Sequence, residues 1–159
     1  MDWFTLARAL HVLAVVHWIG GVTMVTLVIL PGILRLRPAE RQMETFAAIE
    51  ERFAGQARIS VTLAGLSGFY MVHALDAWER FTDPAFWWMH AMVALWAVFT
   101  IVLFVAEPLY LHRKVKQMAA QDSPATFRLV LRLHRILLAL ATVTTAGAVL
   151  GSHGFTFGT

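Results

Sequence analysis

Residues 6–34 read LARALHVLAVVHWIGGVTMVTLVILPGIL, an apolar run that holds two histidines, His11 and His17, and no acidic residue. A hydrocarbon layer about 30 Å thick is crossed by roughly 20 residues of helix, so the run is long enough to span a bilayer. An ionisable side chain inside such a span marks a candidate functional site. Histidine is the mildest case, because a neutral imidazole is easier to place in lipid than a carboxylate or an ammonium. It is also a ligand that holds haem iron, copper or zinc from a helix face.

The rest of the chain fits a membrane-embedded class. Hydrophobic residues make up 58% of the 159 and charged residues 14%, well below the roughly 25% charged fraction of soluble domains. Mean hydropathy is +0.65. The first apolar run is too long for a signal h-region and lacks both a basic leader and a small-residue cleavage site, so it is expected to remain as a helix. There is no cysteine, which excludes disulfides, thiolate-ligated haem, iron–sulfur clusters and cysteine zinc sites. A metal would have to be held by His, Met or carboxylate.

Four apolar runs stand out: Phe4 to Leu34, Ile59 to Leu75, Phe86 to Leu111 and Leu129 to Leu150. They predict an all-α fold, an integral membrane antiparallel four-helix bundle. It forms a single transmembrane domain over residues 1–159, with helices at about 4–34, 55–75, 86–112 and 128–152. The second helix is expected to begin earlier, in the amphipathic stretch Ala39 to Arg58, where Met43, Phe46, Ala47, Ile49 and Phe53 keep one apolar side. Gly55 is a candidate kink. Pro31 and Pro38 bend or stop the first helix, and Asp83-Pro84 and Ser123-Pro124 punctuate the starts of the third and fourth.

Charge sets the expected orientation, because short loops rich in Lys and Arg stay cytoplasmic. Of the 13 basic residues, eleven lie on one side: Arg35, Arg37, Arg41, Arg52 and Arg58, then Arg113, Lys114, Lys116, Arg128, Arg132 and Arg135. Only Arg8 and Arg80 lie on the other. Both termini are therefore expected in the periplasm, across a bacterial inner membrane. The net charge of +3 follows from this topology, so the basic residues do not indicate a nucleic-acid partner.

In that topology His11, His73, His90 and His153, one from each helix, lie towards the outer face. The first and third helices face each other across such a bundle, as do the second and fourth. Two pairs follow, His11 with His90 and His73 with His153, each suited to bis-histidine haem. His17 lies about 9 Å deeper than His11 and about 120° round the helix, so the two do not share a metal. It is either a packed histidine bonded to a carbonyl or a candidate for proton transfer, quinone binding or a second metal. His112 and His134 flank the basic loop and are expected in solvent or among headgroups. Trp18 shares the face of His11 and is placed against a cofactor, while Arg8 and Arg80 are candidate partners of haem propionates or headgroup anchors. Gly20, Gly21, Gly65, Gly68, Gly147 and Gly151 let either a neighbouring helix or a flat macrocycle approach the backbone.

The stretch ALHVLAVVHWIGGVTMVTLVILPGIL resembles the first helix of the copper-resistance membrane family CopD, with its histidine, tryptophan, Gly-Gly pair and closing proline. FWWMHAMVALW is similar to the third helix of that family and of HemJ-type protoporphyrinogen oxidases. The resemblance is carried by His11, Trp18, Gly20 and His90. HemJ-type proteins are four-helix haem b proteins with a lysine two residues after the third-helix histidine, where this chain has Met92. Three readings follow. The first is a b-type cytochrome with one or two haems, passing electrons to quinone, oxygen species or a periplasmic partner, with homo-oligomers allowed. The second is a haem-dependent oxidoreductase acting on protoporphyrinogen. The third is a copper-handling permease with ligands from His11, His90, Met24, Met71, Met89 and Met92.

Overall fold

The computed structural model describes residues 2–155, with the His112 side chain excepted. Asp2 opens the first helix: its carboxylate accepts the Phe4 N–H at 3.0 Å and the Thr5 hydroxyl. These bonds, the Thr5 hydroxyl foremost, hold the Asp2 carboxyl below its ordinary pKa. Helix α1 then runs Trp3–Leu36. Pro31 does not break it. Instead the helix widens into a π turn over Val25–Ile29, just before the proline. Thr23 and Thr26 return their hydroxyls to the Ile19 and Val22 carbonyls at 2.8 and 2.6 Å, a bond that bends helices. α1 ends at Leu36, and Arg37 after it is held extended (φ −118°, ψ 138°) by the proline that follows.

Helix α2 occupies Ala39–Ala74, 36 residues without interruption. It starts well before the predicted residue 55, because Met43 and Phe46 bury an apolar side against Phe127, Val130 and Leu131. Gly55 does not break it. The helix stops at Leu75, after which Asp76 takes a left-handed conformation (φ 49°), tolerated by Asp better than by most residues. A 3₁₀ turn, Trp78–Thr82, leads to α3, Pro84–Leu111. Helix α4, His112–Gln121, continues α3 directly through helical Leu111 (φ −65°, ψ −43°). The third helix thus outlasts its predicted end at residue 112. Asp122 then caps α5, Ser123–Ser152, accepting the Ala125 N–H at 2.8 Å ahead of Pro124.

The described residues contain these five α-helices and no strand. α1 and α2 form the most extensive pair, α5 packs on α3, α2 and α1, and α2 also meets α3. One apolar core gathers Leu30, Ile33, Met43, Phe46 and Phe127, and a second gathers Trp18, Val22, Ala57, Val61 and Phe99. Three helices, α1, α3 and α5, are long and apolar enough to cross a membrane. Only 28%, 17% and 17% of their most apolar stretches is buried within the chain, so most of that surface points outward. α2 is long enough but more polar, with Ser60, Thr62, Ser67 and His73 in its second half.

Candidate functional site

His11 sits on the α1–α2 seam. Its Nδ1–H donates to the Ala64 carbonyl at 2.9 Å, and the Ser67 hydroxyl lies 3.3 Å from the same nitrogen. The ring has this position because residue 68 is glycine: a Cβ there would come within 3.1 Å of His11 Cε1. Since a carbonyl only accepts, Nδ1 carries the proton and Nε2 keeps its lone pair. Metal-ligating histidines, whose other ring N–H is usually fixed by a carbonyl or carboxylate, share this arrangement with packed ones such as His134.

The other histidines differ in readiness. His153 donates from Nδ1 to the Val149 carbonyl at 2.8 Å, one helical turn back, and is exposed. His90 is exposed with both ring nitrogens facing carbonyls, Nε2 at 2.9 Å from Phe81 and Nδ1 at 3.3 Å from Phe86. Its ring also stands edge-on to Phe81 at 5.5 Å. His73 is exposed at the end of α2. His11 thus turns to α2 and His90 to the α2–α3 connection, and no hydrogen bond or ring contact joins them. Among the described residues there is no group of three or more His, Asp or Glu placed to hold a metal. His134, expected among headgroups, packs instead: its Nδ1–H donates to Val130 at 3.0 Å and its ring meets Phe46 edge-on at 5.6 Å.

Trp18 is 4% exposed and lies edge-on to Phe99 at 4.8 Å, inside the protein core. Its Nε1–H is buried without a partner, as is the Thr100 hydroxyl. Arg80 lies over the Phe86 ring at 5.2 Å, and Arg8 stands close enough to Asp2 to lower its pKa. The glycines seat the chain's own rings: Phe53 against Gly21, Trp96 against Gly65, Trp87 against Gly147 and Trp88 against Gly151, each within 2.6 Å of where a Cβ would stand. The His11 Nε2 lone pair could therefore take a metal, whereas the room expected beside these glycines is taken by aromatic side chains.

Sequence reasoning passed over one constellation. Arg58, counted among the loop cations, lies within α2; its Nε–H donates to the Leu103 carbonyl at 3.0 Å and its Nη2 lies 3.2 Å from a Glu107 carboxylate oxygen. Leu103 and Glu107 belong to a π-helical stretch, Val102–Leu111, that contains Pro108. In a π turn the N–H five residues on bonds the carbonyl, and for Leu103 that residue is Pro108, which has none. Arg58 supplies the missing donor. The signal available in the sequence was Glu107-Pro108, a lone acid beside a proline within an apolar run.

His17 and Gln56 stand on either side of an open groove of about 310 Å³ between α1 and α2. The chain matches no family model, no curated protein and no solved structure among those compared.

Proposed function

We propose that this chain is an integral membrane protein, an antiparallel four-helix bundle with both termini on the periplasmic side of a bacterial inner membrane, and that it is a b-type cytochrome. The membrane reading is supported by three outward-facing apolar helices and by the eleven-to-two split of basic residues. The haem reading rests on one observation, the His11 ring: in the neutral imidazole Nδ1–H is fixed on Ala64 and Nε2 keeps its lone pair, on an apolar helix. His11 would hold the haem iron, with His90 as its partner. For His90 to serve through Nε2, the bond to Phe81 must be given up, at about 1 kcal/mol for an ordinary hydrogen bond. His73 with His153 is the second pair, and His153 has the same Nδ1-to-carbonyl anchor as His11. A haem held by two histidines would supply one-electron transfer. The protein's part is to orient the imidazoles.

The test is a reduced-minus-oxidised optical spectrum of the protein purified from membranes. A sharp alpha band of the b type is expected in the parent chain, with loss of at least half its intensity in His11→Ala and none in His134→Ala. A parent protein lacking that band, or a His11→Ala variant with the full band, overturns the haem reading. In the second case iron ligation would lie elsewhere.

A further inference from the structure

The α1–α2 groove is lined on α1 by Leu10, Leu13 and His17 and on α2 by Gln56, Ile59 and Ser60. These positions recur at three- and four-residue spacing, one stripe on each helix. The two helices are antiparallel neighbours joined through residues 37–38, so the last member of the α1 stripe, His17, and the first of the α2 stripe, Gln56, share one end of the groove. Two flanking contacts fix this register: His11 against Gly68 on one side of the level, Gly21 against Phe53 on the other. The groove therefore has a polar end of His17, Gln56 and Ser60 and an apolar end of leucines.

Its setting is unusual for polar groups. His17 and Gln56 are both exposed, and neither hydrogen-bonds another described side chain or carbonyl. His17 is nine residues beyond Arg8, about 13 Å along the helix, with Arg35 the next charge after it. In the membrane reading His17, on the apolar α1, meets hydrocarbon, where an unpaired polar group is costly, while Gln56 lies at the polar end of α2 between Arg52 and Arg58. A guest with hydrogen-bonding oxygens would satisfy them. The lining holds no Asp, Glu, Lys or Arg, so the guest's head is neutral. A volume of about 310 Å³ is at the lower end of small-molecule sites, roughly 300–1,000 Å³. A phospholipid head is charged and stays at the surface. A quinone ring is neutral, flat, carries two carbonyl acceptors and reaches mid-depth on an apolar tail.

We propose that this groove binds the ring head of a lipid-soluble quinone, with the N–H groups of Gln56 and His17 donating to its carbonyl oxygens and the leucine end holding the start of its tail. The assignment rests on the membrane reading and not on haem. The test uses the full chain in phospholipid nanodiscs, after carbonate extraction of the source membranes has shown whether the protein stays in the pellet. Saturable binding of decyl-benzoquinone by equilibrium dialysis is expected, above that of empty nanodiscs. His17→Phe and Gln56→Leu should each weaken it about five-fold, and the double variant about twenty-fold or more, one neutral hydrogen bond per side chain. Both positions are exposed, so circular dichroism of the variants should match the parent. Binding no greater than to empty nanodiscs, unchanged affinity in the double variant, or a stable dimer that covers the groove each overturns the proposal. Release of the protein by carbonate overturns the membrane reading along with it, whereas loss of quinone binding from a carbonate-resistant protein leaves that reading intact.

Discussion

Arg58→Ala should lower the unfolding free energy of the purified protein by about 2 kcal/mol, less than the roughly 3–5 kcal/mol for breaking a fully buried pair, because Arg58 and Glu107 are 37% and 20% exposed. Two groups lose their partner together: the Glu107 carboxylate and the Leu103 carbonyl that Pro108 leaves without a donor. The two contributions separate through the proline. Pro108→Ala restores an N–H, lets the π stretch tighten towards an α-helix and removes the carbonyl's need for Arg58. In that background Arg58→Ala should cost about 1 kcal/mol less, the worth of one hydrogen bond. Glu107→Gln, by contrast, removes the charge and keeps the Nε bond. Thermal unfolding in detergent, followed by circular dichroism, measures all of these. Costs of Arg58→Ala and Pro108→Ala that add within about 0.3–0.5 kcal/mol would show that Arg58 does not serve the proline's orphan carbonyl.

The helical plan was legible in the sequence because its signals are local. Pro38, Pro84 and Pro124 sit where helices stop or start, and Asp83 and Asp122 cap the helices they precede. The long start of α2 was visible in the spacing of Met43, Phe46 and Phe53. What was not legible depends on rotation about helix axes. Residue level along a bundle can be counted at about 1.5 Å per residue, which put His11 and His90 at similar depth. The azimuth of each helix is set by packing, here by glycines that admit particular rings, and it turned His11 towards Ala64 and left His90 outside. Trp18, seven residues on from His11 and sharing its face, does point inward, and its partner is Phe99. Arg58 reads as a loop charge in the sequence because a basic residue next to an apolar run ordinarily ends it, yet it lies within α2. Its acid is 49 residues away in sequence, so no local pattern links the two.

The same packing logic gives opposite signs to two glycine substitutions. Gly65→Ala places a methyl 2.6–2.7 Å from the Trp96 indole, closer than real Cβ atoms come. The ring cannot simply withdraw, because its Nε1–H donates to the Val61 carbonyl at 2.9 Å and its face meets Phe69 edge-on at 5.5 Å. Overpacking of this kind costs about 1–3 kcal/mol and the strained hydrogen bond about 1 more, against about 1 kcal/mol gained in helix propensity. The net expectation is a loss of about 2 kcal/mol. Gly20→Ala meets nothing within 4 Å, so only the propensity remains and stability should rise by about 0.5–1 kcal/mol. The control is the ring itself: in a Trp96→Leu background the methyl has space, and Gly65→Ala should turn neutral or stabilising. If Gly65→Ala remains as damaging there, the glycine is needed for a reason other than seating Trp96, and the account of these small residues as ring seats fails at its best-defined position.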